Sequence, residues 1–303
     1  MAINDGQPFL TRECDHIGLS QYELREARNE QAVRKVFNGV YVDAAAADTR
    51  QLRIAAVKLV APPYAVASDG TAAWVWGVNA SPPNERHILV PKLVVPHSLT
   101  RLVPAEGLCR QAKLPESDIT EIDGLRLTTP IRTTADFLRR LWRPYAMGAA
   151  DAMAHADLID VEELQDYLKR LRGYRGIRQA RNLAQLIEPL AGSHGESWQR
   201  LRMTDAGFPR PVPQYEVTDE KGNSRFFDHA YPELLLVAEY DGREFHTADV
   251  DKAHDYSRRG YFEKRFGWRF LISRKADIFG SDPAFEIELG KLYGREPWLP
   301  RSW

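Results

Sequence analysis

Apolar positions along this 303-residue chain change period several times, and each change marks an expected element. Near the start, Cys14 and Ile17 follow Thr11 in a short helix that Thr11 caps and Gly18 stops. Ser20 then caps a second helix that turns Leu24 and Ala27 toward a core. From Val33 to Val42, Asn38-Gly39 sits between two apolar runs, the signature of a tight hairpin. Gln51 to Ala61 reads as a helix broken by Pro62 and Pro63, and another helix starts near Ser68 and closes at Gly77. Strands are expected over 87–95 and 100–104. The stretch from Tyr145 to Leu190 is helical, with Leu158, Leu164, Tyr167, Leu168 and Leu171 at helical spacing. In the last third, Arg225 to Ala230 reads as a strand and Tyr231-Pro232-Glu233 as a turn. The unbroken apolar run Leu234 to Ala238 reads as a strand covered on both faces.

This order predicts an α+β multidomain protein: an N-terminal unit over 1–45, a mixed α/β middle region over 46–144, a helical connector over 145–192 and an α/β domain over 193–303. Composition agrees, with 44% hydrophobic and 27% charged residues. The formal net charge of -1 means that any nucleic-acid contact must rest on local basic patches. Two cysteines, Cys14 and Cys109, are too few for a disulfide framework or a cysteine-rich zinc site. No apolar run is long enough to span a membrane, and the first residues lack the basic and apolar segments of a secretion signal, so cytoplasm is the expected location.

Candidate chemistry is concentrated behind the second C-terminal strand. That strand runs into Glu239-Tyr240-Asp241-Gly242, so two carboxylates share one face, and the hairpin brings Asp228 beside them. Buried unpaired carboxylates are costly, and a hard divalent cation removes the cost. An Asp on one strand, then Glu-x-Asp-Gly ending the next, then His246 four residues on, resembles the PD-(D/E)XK nuclease superfamily, and more narrowly the very-short-patch-repair-like endonucleases. The resemblance covers about 190 to 285, including an Arg-bearing helix through Asp255, Arg258 and Arg259 and a closing strand over Gly267 to Ile272. It implies a restriction-endonuclease-like core with a mixed sheet and a magnesium-dependent (or manganese-dependent) phosphodiesterase site. Asp228, Glu239 and Asp241 would hold metal, with Glu196 and His246 completing the catalytic set. Arg243, Lys252, Arg258 and Arg259 would grip flanking phosphates. One departure is plain: Asp241 stands where the superfamily has lysine, which leaves His246 to take the proton. Glu196 also reads a second way, as the reciprocal partner of Ser193 in a capping box.

At the other end, Leu-Thr-Arg-Glu at 10–13 and Arg-Lys-Val-Phe-Asn-Gly-Val-Tyr at 34–41 resemble the N-terminal winged helix of AbiEi-type antitoxins, which bind DNA and repress their own operon. The resemblance implies DNA contacts from Gln21, Tyr22, Arg25 and Arg28 on the second helix and from Arg34 and Lys35 beside the wing. Thr-x-Pro-x-Arg-Thr-x-x-Asp, ending at Asp136, resembles the middle region of the same family. Arg132 and Asp136, four apart at a helix start, read as an ion pair. The basic run Lys169 to Arg181 is the strongest charge cluster in the chain. Two functions follow: magnesium-dependent DNA cleavage directed by the N-terminal half, in bacterial or phage conflict, restriction or repair; or an AbiEi-type regulator whose nuclease domain is degenerate. Expected partners are DNA, a second copy of the chain and a cognate toxin.

Overall fold

The computed structural model describes residues 3–81, 90–97, 108–220, 222–242, 259–301 and 303. The chain forms two compact units, one from 1–140 and 158–177, the other from 141–157 and 178–303. The helical stretch read as a connector over 145–192 is therefore divided between both. Its first helix, α5 (Arg143–His155), and most of α7 (Ile177–Ala184) belong to the second unit, whereas α6 (Val161–Arg170) returns to the first. Helical periodicity identifies these segments but carries no signal for which core each one covers.

The first unit begins with β1 (Phe9–Leu10), a 3-10 helix over Thr11–Ile17, α1 (Gln21–Asn29) and a hairpin of β2 (Val33–Phe37) and β3 (Val40–Asp43), with sheet order β1-β3-β2. A short strand, a 3-10 helix, one α-helix and a hairpin thus follow one another in this part of the unit. Ser20 caps α1 as expected: Glu23 N donates to its Oγ at 3.2 Å, and its own N donates to Glu23 Oε2 at 2.8 Å. Thr11 departs from expectation, because Leu10 holds the cap position and Thr11 is the first helical residue. Its N–H donates to Gly39 O at 2.8 Å, which ties it to the turn of the hairpin. Phe9, Cys14, Leu24, Ala27, Val33 and Tyr41 form a small core.

The rest of this unit is a five-stranded mixed sheet of β4 (Val66–Ala67), β5 (Lys92–Val95), β6 (Leu108–Gln111), β7 (Ile119–Ile122) and β8 (Leu125–Thr128), ordered β6-β5-β4-β8-β7. It packs with α2 (Arg50–Val60) and α3 (Asp69–Trp76), and α4 (Pro130–Arg140) lies against α3. The 87–95 strand is seen over Lys92–Val95, and the strand expected over 100–104 lies outside the described residues.

In the second unit, β9 (Val212–Thr218), β10 (Ser224–Tyr231) and β11 (Leu236–Asp241) form an antiparallel meander, and β12 (Arg269–Arg274) closes the sheet parallel to β11. One face carries Tyr231, Leu236 and Ala238 against Trp198 of α8 (His194–Asp205), Ile278 of α10 (Lys275–Phe279) and Phe285 and Leu289 of α11 (Ala284–Tyr293). The other carries Ala230 and Val237 against Phe262 of α9, which covers 259–266. Leu236, Val237 and Ala238 are fully buried, which is why the sequence shows an unbroken apolar run there. The strand starts at 236 and not 234, because Pro232–Leu234 winds into a 3-10 turn and Leu235 takes a left-handed φ of 47° before β11 begins.

Candidate functional site

At the N-terminal unit, the six residues expected to meet DNA divide into two groups. Gln21 donates to Thr11 O at 3.0 Å and to Cys14 Sγ, Arg28 lies 5.2 Å over the Tyr41 ring, and Arg34 donates to Ala46 O at 3.2 Å. Those three make contacts within the unit, although Gln21 and Arg28 are themselves exposed. Tyr22, 71% exposed, together with Arg25 on α1 and Lys35 on β2, is open to solvent. Sequence pattern marks a polar face but cannot say which polar groups the fold has already engaged.

In the second unit the ladder runs His229↔Ala238, Ala230↔Val237 and Tyr231↔Leu236, which carries Asp228 to the level of Glu239. Asp228 Oδ2 accepts from Tyr240 N at 2.9 Å, so its carboxylate lies against the backbone between Glu239 and Asp241. Glu239 is 5% exposed and receives Arg259 Nε at 2.7 Å, while Asp241, at the end of β11, is half-buried. Tyr240 points the other way, toward α8, where a Cβ on Gly195 would fall 1.9 Å from its ring; glycine at that position is what lets helix and strand approach. Burial and the neighbouring Asp241 raise the Tyr240 phenol to about 12.

Glu196 is taken up by structure. Its carboxylate accepts from Gly192 N at 3.0 Å and Ser193 Oγ at 2.8 Å, and its N–H donates to Ser193 Oγ at 3.1 Å. The helix-cap reading is the one the contacts express, with Gly192 rather than Ser193 supplying the backbone donor. Gln214, between the ladder pairs Phe227↔Tyr215 and His229↔Pro213, adds a bond to Glu196 at 3.2 Å and links the cap to the level of Asp228. His246, Arg243, Lys252 and Arg258 lie outside the described residues. Asp228, Glu239 and Asp241 are hard oxygen donors of the type magnesium selects. Among the described residues, however, no three His, Cys, Asp or Glu side chains are gathered to hold a metal.

Two buried polar systems go beyond the sequence pattern, which marked only the Arg132–Asp136 pair in one of them. His229, 1% exposed, bonds through Nδ1 to Gln199 Oε1 at 2.7 Å, and Gln199 Nε2 donates to Ser273 Oγ at 2.8 Å, joining β10, α8 and β12. Burial, helped by the nearby Arg200 charge, pushes His229 down to about 3, so it is neutral. In the first unit, Arg132 is buried between Asp118 at 2.6 Å and Asp136 at 3.0 Å, the latter being the expected i,i+4 pair. Tyr167 of α6 donates to Asp118 at 2.7 Å, and Arg110 and Arg139 also reach Asp136, at 3.1 and 2.7 Å.

Comparison with known proteins places these features. Residues 64–188 match the AbiEi antitoxin C-terminal domain, a span that includes Asp118, Arg132, Asp136 and Tyr167. Two relatives are the uncharacterized proteins MT2308 and Rv2248 of Mycobacterium tuberculosis, strains CDC 1551 / Oshkosh and ATCC 25618 / H37Rv. Each is 30% identical over 247 residues, covering 81% of this chain and 86% of the relative. No helix among the described residues is long and apolar enough to cross a membrane. The chain belongs to the family of these mycobacterial proteins, with the AbiEi antitoxin C-terminal domain at its residues 64–188.

Proposed function

We propose that this protein is a DNA-binding, antitoxin-like regulator of the AbiEi type that grips duplex DNA with its N-terminal winged helix and acts with a cognate toxin. The observation that carries the reading is a firmly capped α1 whose exposed Tyr22 and Arg25, with exposed Lys35 of the hairpin, lie beside Gln21, Arg28 and Arg34, which make contacts within the fold. Helix and wing present these groups on a rigid base, as groove and phosphate contacts require. The AbiEi match over 64–188 supports the antitoxin part. The test is binding to the duplex upstream of the protein's own gene, followed across salt concentration. Arg25→Ala with Lys35→Ala should lower the log-log slope by about 1.8, near 0.9 per lost phosphate contact. Arg28→Ala and Arg34→Ala should lower the melting temperature more than the slope. Equal slope losses from both pairs would overturn the division of roles.

A second reading has its own support. The C-terminal unit has a helix, an antiparallel meander, a helix and a closing parallel strand, with Asp228 against the backbone of the Glu239-Tyr240-Asp241 segment; this supports metal-dependent DNA cleavage of the PD-(D/E)XK kind. Magnesium held by those carboxylates would supply positive charge to phosphoryl oxygens. In the structure as described, Arg259 neutralises Glu239 and Glu196 caps α8, which favours the regulator. Supercoiled plasmid incubated with and without magnesium separates the two. Nicking by the wild type that is lost in Asp228→Ala would establish the enzyme, and intact plasmid would leave the regulator.

A further inference from the structure

The chain between Asp166 and Glu188 carries Lys169, Arg170, Arg172, Arg175, Arg178 and Arg181 and no acid, in a protein whose overall charge is -1. Within the first unit, the turn that follows α6 holds the densest part of this run, and its backbone is rigidly built. Gly173 and Gly176 adopt φ of 85° and 80°. A Cβ on Gly176 would fall 1.9 Å from Arg139 O, so only glycine admits that approach. Arg139 Nε donates to Arg175 O at 3.2 Å and its guanidinium lies 4.8 Å over the Tyr174 ring. The turn is thus clamped to the end of α4. Below it, α6 is docked by buried Leu164 and Leu168 and by the Tyr167 bond to Asp118.

On that clamped turn, Arg170, Arg172 and Arg175 are exposed. Arg170 lies over the Tyr167 ring at 5.0 Å, and the acids of α6, Glu162, Glu163 and Asp166, precede the turn, Asp166 being engaged by Lys169 at 2.5 Å. Like charges crowded on a fixed turn repel one another, and a loop whose only task was to connect two helices gains nothing from them. A polyanion of regularly spaced charge removes that repulsion and releases its own counterions on binding.

We propose that the turn at 170–175 is a second DNA-backbone contact, a phosphate clamp formed by Arg170, Arg172 and Arg175. It rests on the DNA-binding reading above and adds to it a sequence-independent grip located in the AbiEi domain. The fork geometry of arginine suits bidentate contact with phosphate, and a preset turn spares the ordering cost that a flexible basic tail pays on binding.

The experiment uses the full chain and a duplex of fixed sequence, with affinity measured by fluorescence anisotropy across a salt series. Arg172→Ala with Arg175→Ala should lower the log-log slope by about 1.8 with an unchanged melting temperature, because both side chains are exposed. Arg172→Lys with Arg175→Lys should keep the slope, since the charges remain, and weaken affinity only modestly. A slope equal to wild type in the alanine variant overturns the clamp, and if Arg25→Ala with Lys35→Ala still lowers it, the DNA-binding reading survives alone. Equal losses in the alanine and lysine variants would make the effect structural and overturn the clamp as well. Absence of DNA binding by the wild type would remove both.

Discussion

Arg132 offers the sharpest test of how the first unit is held together. Its side chain is 3% exposed, and those of Asp118 and Asp136 are 7% and 2%. Replacing it with Met keeps the volume and removes the charge. Asp136 would retain Arg110 and Arg139, but among the bonds described Asp118 would keep only the Tyr167 hydroxyl. A buried carboxylate stripped of its cation costs about 3–5 kcal/mol, so Arg132→Met should destabilise the unit by about that amount. Asp118→Asn leaves Arg132 still paired with Asp136, so the two changes together should cost less than their sum; a coupling of about 1–3 kcal/mol is expected from residues in one network. Equilibrium urea unfolding of the four proteins gives the cycle. Hydrogen exchange adds a local readout, because amides of α6 should exchange faster in Arg132→Met if Tyr167 anchors that helix through Asp118. Arg132→Met within 1 kcal/mol of wild type, or strict additivity in the double variant, would refute the claim that this network docks α6. The same undocking should weaken DNA binding through the turn at 170–175.

Two further outcomes follow from the second unit. Glu196→Ala should cost about 1 kcal/mol through loss of the helix cap while leaving DNA affinity unchanged, as thermal melting and anisotropy would show; loss of affinity without loss of stability would give Glu196 a role beyond the cap. For His229, the folded value near 3 lies below the ordinary 6.5, so between those limits the unfolded chain takes up a proton that the folded chain does not. Stability is then fully present above pH about 6.5 and falls as pH drops toward 3, by up to about 1.4 kcal/mol per pH unit. His229→Gln should flatten that dependence in urea titrations between pH 4 and 7, and an unchanged slope would show that other groups govern the acid limb.

The sequence by itself determined what local patterns can encode. Ser20 marked the start of α1, Asn38-Gly39 the turn between β2 and β3, and the apolar run read over 234–238 the central strand, because caps, turns and burial each act on residues close in the chain. It also joined the strand of Asp228 to that of Glu239 as a hairpin, while the 3-10 turn and left-handed Leu235 set the register that makes the two level. Tertiary structure decided the rest. Which exposed-looking polar groups were already engaged, as with Arg28 and Arg34, depended on partners more than ten residues away. The assignment of α5, α6 and α7 to different units, and the burial of Arg132 between two aspartates, came from contacts between segments far apart in sequence. Hydrophobic period records that a face is covered; only the folded chain selects what covers it, because that choice is made by packing and charge pairing between residues with no local relation.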